Sequence, residues 1–149
     1  MIRIAILGDI GSGKSHVAKS FGYPVFNADK EVGKLYRKNK KTFNKLKKIL
    51  PEYFNSYPIK KHEVTEAILA NSNNLKKIVK VIHLEIRKKI HFFLKKNKNK
   101  KVVILDVPLL LENRINKKND ILIFVQSKKI DILKRLKKRV NFNQKLLNK

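Results

Sequence analysis

Apolar residues along this chain recur in two rhythms, and the alternation between them predicts its architecture. Short apolar runs at residues 2–7, 25–26, 102–105 and 121–125 have the length and continuity of strands buried on both faces. Between them the apolar positions step by three and four. A helix is predicted over residues 14–21, broken by Gly22-Tyr23-Pro24. Residues 30–50 carry Val32, Leu35, Tyr36, Phe43, Leu46, Ile49 and Leu50 at helical spacing, with an interruption near Asn39. Helices at 61–70 and 74–96 are separated by the cap-rich Asn71-Ser72-Asn73-Asn74. In the longer one, Leu75, Ile78, Val79, Ile82, Ile86, Ile90, Phe93 and Leu94 share one core face, and a lysine-rich helix is predicted over 128–149. Strands separated by helices call for an α/β fold, a parallel sheet covered on both faces, with sites gathered at the carboxyl ends of the strands.

Composition narrows the class. The 149 residues fit one domain with a sizeable core. Absence of cysteine excludes disulfides, thiolate metal sites and cysteine nucleophiles. The apolar start is interrupted by Arg3, unlike a signal peptide, and no run approaches the ~20 residues of a membrane span. A cytoplasmic location and no membrane partner are the expectation. The formal charge of +26 would ordinarily point to nucleic acid. Here it comes from lysine far more than arginine, alongside abundant asparagine and isoleucine, all encoded by A/T-rich codons, and it is spread along the chain. Compositional drift on solvated faces accounts for it better than a nucleic-acid partner does, although a positive field would also attract a polyanionic substrate.

The chemistry concentrates behind the first strand. Gly8-Asp9-Ile10-Gly11-Ser12-Gly13-Lys14-Ser15 satisfies G-x-x-x-x-G-K-[ST], the Walker A pattern, between a predicted strand and a predicted helix. Glycines let main-chain N–H groups converge on phosphate oxygens, where a Cβ would obstruct both turn and approach. Lys14 supplies a mobile charge for the β- and γ-phosphates and Ser15 a hydroxyl for Mg²⁺, so a nucleoside triphosphate is the implied ligand. Two further strand ends carry carboxylates, Asp29 and Asp106. Each has a plain alternative, a helix N-cap for Asp29 and a turn former for Asp106.

Four segments then combine into a specific likeness. The phosphate loop, Gly22-Tyr23-Pro24-Val25-Phe26-Asn27-Ala28-Asp29, His83-Leu84-Glu85-Ile86-Arg87 and Leu105-Asp106-Val107-Pro108-Leu109-Leu110-Leu111-Glu112-Asn113 resemble the dephospho-coenzyme A kinase family in order and spacing. The likeness spans essentially the whole chain. It implies a P-loop nucleoside triphosphate hydrolase-like three-layer fold, a single kinase domain over 1–149. A helical substrate-binding insertion at 30–97 and a partial lid helix at 128–149 belong to it. The implied reaction is transfer of the ATP γ-phosphoryl group to the ribose 3′-hydroxyl of dephospho-coenzyme A, with ATP and Mg²⁺ as cofactors. ATP would be held by Gly8, Asp9, Ile10, Gly11, Ser12, Gly13, Lys14, Ser15 and His16, closed over by Arg135 and Arg139. Lys14, Asp29 and Arg139 would be catalytic, with Asp29 receiving the acceptor proton. Ser15 and, through water, Asp106 would hold the metal, and Asp29, His83 and Arg87 would meet the acceptor. A solvated basic helix face for the arginines, a structural histidine at 83, and a cap or ion pair for Glu112 are the bland alternatives.

The chain departs from the family pattern in four places. Asp9 stands where the loop usually has a small residue, Leu84 where proline follows the histidine, and Lys60-Lys61 where an arginine precedes the middle helix. The family also continues past Lys149 to finish the lid and add a last strand and helix. The expectation is therefore a shortened kinase with weakened ATP affinity and an exposed sheet edge. Other readings are another small-molecule or nucleotide kinase, or a basic nucleic-acid-binding protein with a vestigial nucleotide site. A guanine-nucleotide switch fails because Asn116-Lys117-Lys118-Asn119-Asp120 has the wrong pattern and precedes its strand.

Overall fold

Strands β1 (Ile2–Leu7), β2 (Val25–Asn27), β3 (Val102–Asp106) and β4 (Ile121–Phe124) form one sheet in the order β2-β3-β1-β4. This computed structural model describes residues 1–107 and 119–137. Expectations that fall on Glu112, Asn113 and Arg139, and on the lid beyond residue 137, lie outside the described residues. Central β1 pairs parallel with β3, from Ile2 opposite Val102 to Ile6 opposite Asp106, and with β4, from Ile4 opposite Ile121 to Leu7 opposite Phe124. The expected α/β class with parallel pairing is what forms. Its register brings the carboxyl ends of β1 and β3 level, so Asp106 closes β3 where the glycine loop leaves β1. Helices α1 (Lys14–Ser20) and α6 (Lys129–Lys137) complete the described part of this unit, which spans residues 1–26 and 99–149. Ala18 of α1 packs with Ile6 and Ile104 into a dry cluster that Val25, Ile123 and Val125 border. At the opposite end of the sheet, Arg3 and Asp120 form a buried ion pair at 2.9 Å, tying β1 to the entry of β4. The outermost described strand, β4, leaves Ile121, Leu122 and Phe124 exposed.

Residues 27–98 form a second compact unit of helices, α2 (Ala28–Lys38), α3 (Lys40–Ile49), α4 (Lys61–Ala70) and α5 (Ser72–Lys96). Ile78, Ile82, Ile86 and Ile90 recur every four residues and form the buried stripe of α5, against which α2, α3 and α4 pack. Asn39 accounts for the interruption expected near it. It ends α2 and caps α3, its Oδ1 accepting from Thr42 N at 2.9 Å. Helix α5 begins at Ser72 rather than at Asn74, because Asn71 takes the cap. Asn74 instead turns inward and donates from Nδ2 to the Ala67 carbonyl, closing the orphan end of α4.

Glu63 is the least expected device in this unit. Its buried carboxylate accepts from Lys60 N, Asn55 N, Ser56 N and Ser56 Oγ, all within 3.0 Å, and so fixes the whole connection into α4. Burial alone would raise its pKa. The hydrogen bonds from Lys60, Asn55 and Ser56 outweigh that and hold it below its ordinary value.

Candidate active site

The phosphate loop owes its shape to main-chain constraints that the glycines alone can meet. Gly8, Gly11 and Gly13 adopt φ of 138°, 84° and 99°. At Gly8 the demand is doubled, since a Cβ would stand 2.2 Å from the Val125 carbonyl oxygen just after β4. At Gly11 a Cβ would crowd Ile132 and Leu136 of α6 at 3.1–3.3 Å. Gly13 then caps α1, its carbonyl accepting from His16 and Val17 N–H and leading the chain into the helix.

Side chains hold the loop carbonyls on the outside. Lys14 Nζ donates to Gly8 O at 2.7 Å and Asp9 O at 2.6 Å, which uses two of the three ammonium protons and leaves one for a phosphate. Arg135 of α6 donates from Nη1 to Gly11 O, Ser12 O and Ser127 Oγ at 3.1–3.2 Å. Ser127 Oγ in turn donates to Ser12 O at 2.8 Å. Ser12 N–H donates to the Asp9 carbonyl at 3.1 Å, and the remaining N–H groups of the loop suit an anion. Ser12 Oγ is buried and has no hydrogen-bond partner among the described residues, a polar atom suited to a phosphate oxygen.

Ser15 Oγ donates to Asp106 Oδ2 at 2.5 Å, joining the start of α1 to the end of β3. This pair of oxygen donors fits Mg²⁺, which keeps several waters and takes its remaining ligands from substrate phosphates. Among the described residues no group of three histidine, aspartate or glutamate side chains could cage a metal on protein ligands alone. The turn-former alternative for Asp106 does not apply, since it ends β3 itself. Asp9 is exposed, and its backbone carbonyl, not its carboxylate, meets Lys14. It borders an apolar cavity with Ile10, Lys129 and Ile132, while His16 is exposed on the first turn of α1.

In the helical unit, Asp29 lies in the first turn of α2. The N-cap reading assigned to it belongs to Asn27, whose side chain accepts from Lys30 N at 2.8 Å. Asp29 borders a cavity of about 430 Å³ with Gly33, Tyr36, Arg37, Ile59 and Lys61. Burial pushes the Tyr36 phenol up to about 12, so it stays neutral. His83 and Arg87 lie on α5 and do not border this cavity. Burial first, and then the Arg87 guanidinium, hold His83 below its ordinary value. At neutral pH the exposed Arg87 is therefore the cation of that pair and His83 a neutral imidazole.

Sequence reasoning missed Ser127, Gly33 and Glu63. Ser127 follows the carboxyl end of β4, where the strand-end rule applied to the other strands would have found it. Gly33 was readable as a glycine inside a helical pattern. Glu63 had only its place as the third residue of the helix to mark it.

A strand, a loop fixed by its own glycines, and a helix bearing lysine and serine beside a neighbouring strand's aspartate define the P-loop class of phosphoryl-transfer proteins. Comparison with known proteins narrows the class. The family model described as Dephospho-CoA kinase matches residues 2–149, and the chain belongs to that family of ATP-dependent kinases. The dephospho-CoA kinase of Wolbachia pipientis wMel is 33% identical over 150 residues, covering 97% of this chain and 76% of that protein. That of Fusobacterium nucleatum is 34% identical, covering 98% of this chain and 77% of its own length. Among solved structures, TT1252 from Thermus thermophilus superposes with a TM-score of 0.78 at 27% identity, over 99% of this chain and 76% of that one. Dephospho-CoA kinase from Campylobacter jejuni shares the fold, with a TM-score of 0.59 at 18% identity, over 89% of this chain and 92% of that one.

Proposed function

We propose that the chain transfers the γ-phosphoryl group of ATP to the ribose 3′-hydroxyl of dephospho-coenzyme A, giving coenzyme A and ADP. The observation that carries this is the family match along residues 2–149, joined to a Walker A loop whose carbonyls Lys14 and Arg135 hold. In the reading, the 3′-oxygen attacks the γ-phosphorus, the bond to the β–γ bridging oxygen breaks, and the hydroxyl proton passes to the Asp29 carboxylate. Residues Gly8 to Ser15 bind the ATP phosphates, and Lys14 follows the charge that grows on the bridging oxygen. Mg²⁺ bound at Ser15, with Asp106 reached through water, would supply charge neutralisation between the β- and γ-phosphates. Arg135 braces the loop carbonyls through Nη1 and keeps the three protons on Nε and Nη2 for a phosphate. Arg87 supplies positive charge towards the acceptor, and His83 a neutral ring beside it. Residues 27–98 serve as the substrate-binding attachment, and the reaction belongs in the cytoplasm.

The test is phosphoryl transfer from ATP to dephospho-coenzyme A with Mg²⁺, against a panel of nucleosides and small-molecule hydroxyl acceptors. Lys14→Ala is expected to lower kcat/KM by about a hundredfold or more, the scale of losing one preorganised charge at the transition state. Asp29→Asn keeps the shape, loses the base and is expected to cost about the same or more. Preference for another acceptor, or full activity of Asp29→Asn, overturns the respective assignment.

A further inference from the structure

The cavity beside Asp29 contains a residue that the fold does not ask for. Of the chain's five glycines, Gly8, Gly11, Gly13 and Gly22 occupy positive φ, whereas Gly33 sits in ordinary helical backbone inside α2. A Cβ there would meet nothing closer than the Arg37 guanidinium, at 3.7 Å to Nη2, which is ordinary contact. Alanine would fit and would favour the helix. Neither backbone nor neighbouring side chains explain the glycine, but it borders the cavity, where its missing side chain opens a strip of bare helix.

Two cations flank that strip. Asp29, Gly33 and Arg37 follow one another at steps of four along one face of α2. The Arg37 guanidinium lies back over Gly33, one turn towards Asp29, and forms no ion pair among the described residues. Opposite stands Lys61, the first residue of α4, a position where the helix's positive end disfavours a cation. The wall between is firmly held. Ile59 N donates to the Tyr36 carbonyl at 3.0 Å, and Glu63 anchors the segment leading to it. About 430 Å³ lies within the range of small-ligand sites.

We infer that this cavity seats the ribose and 5′-diphosphate of the acceptor, resting on the function proposed above. Asp29 meets the 3′-hydroxyl, the bare face at Gly33 makes room for the ribose–phosphate segment, and Arg37 with Lys61 neutralises the diphosphate. Arg37 has the planar fork that pairs with phosphate oxygens two at a time. Gly33 and Arg37 thereby determine acceptor specificity, and the helix gives up stability to keep the site open.

Steady-state kinetics with dephospho-coenzyme A, ATP and Mg²⁺, and calorimetric titration with dephospho-coenzyme A alone, test this on the full chain. Gly33→Leu fills the strip and is expected to raise the acceptor KM and Kd about tenfold or more, with KM for ATP within about twofold of wild type. Arg37→Gln is expected to raise both acceptor constants about tenfold, and Arg37→Lys to recover most of that loss. Should circular dichroism show Gly33→Leu unfolded, Gly33→Ala takes its place, with a higher melting temperature and a weaker acceptor Kd as the expected pair. Turnover with acceptor constants unchanged in Gly33 and Arg37 variants overturns the cavity assignment and leaves the kinase reading standing. Variant-sensitive binding of dephospho-coenzyme A without transfer supports the cavity and removes the kinase reading. No binding by wild type overturns the cavity assignment.

Discussion

The phosphate loop and the α2 cavity are both cradles, yet they are made of different material. In the loop the working surface is main chain. Glycines at positive φ set its course, and Lys14, Ser127 and Arg135 hold its carbonyls. In the cavity the working surface is side chain, contributed by α2, by the connection that ends at Ile59 and by the start of α4. A main-chain site is specified by a few contiguous residues and recognises what all triphosphates share. A side-chain site needs residues 32 positions apart, Asp29 and Lys61, and can be tuned to one acceptor.

Breaking the main-chain cradle should have the largest effect. Gly8→Ala forces a Cβ into the Val125 carbonyl at a φ that disfavours alanine, with an expected loss of about 3 kcal/mol. Thermal melts and ATP turnover would show it as a lower melting temperature and at least a hundredfold slower transfer. Gly22→Ala is the control. Its φ is 70° but nothing lies within 4 Å, so only the backbone cost of about 1 kcal/mol remains, and equal losses at both positions would deny the steric role of Gly8.

The helical unit should break most easily at Glu63. Glu63→Gln keeps the shape but loses a charged acceptor of four hydrogen bonds, which is expected to cost about 2 kcal/mol. The folded carboxyl titrates below its ordinary value of 4.5, so its contribution is complete above that pH and fades as pH falls through 4.5 towards the folded value. Denaturant melts from pH 7 to pH 3 should find the gap between wild type and Glu63→Gln closing in that window. A gap that widens on acidification contradicts the assignment.

A smaller effect belongs to the loop's outer brace. Arg135→Gln removes three contacts made by one nitrogen and is expected to cost about 1 kcal/mol and to raise the KM for ATP severalfold. Ser127→Ala should be partly redundant with it, because both act on the Ser12 carbonyl; full additivity in a double-mutant cycle would show them independent. Smallest of all, Asp9→Gly removes an exposed negative charge near the phosphates and should lower the KM for ATP about twofold, an effect that salt diminishes. An unchanged KM would mean that the carboxylate is fully screened.

Much of this was legible in advance. The strands, the helix spanning 61–70 and the interruption at Asn39 follow from apolar period and capping chemistry, which act over a few residues. Helix α5 starts two residues before the pattern predicts, because four consecutive cap-forming residues compete and only packing decides that Asn74 turns inward to Ala67. The phosphate loop and the aspartates at strand ends were legible for the same local reason. The partners of those groups were not. Which carbonyls Lys14 and Arg135 would engage, and that Ser15 would meet Asp106 across 91 positions, depend on the parallel register of β1 against β3.

The amino-acid sequence by itself determined the class of chemistry, since a glycine turn, a lysine and a serine in fixed order constrain the main chain wherever they occur. Tertiary structure alone decided what the helical unit does with its charges. It turned Glu63 into a main-chain anchor, left Arg87 the cation beside a neutral His83, and set Arg37 over the bare face of Gly33. The reason is physical. A backbone conformation is chosen by neighbours in the chain, whereas the burial and company of a side chain are chosen by segments that meet only after folding.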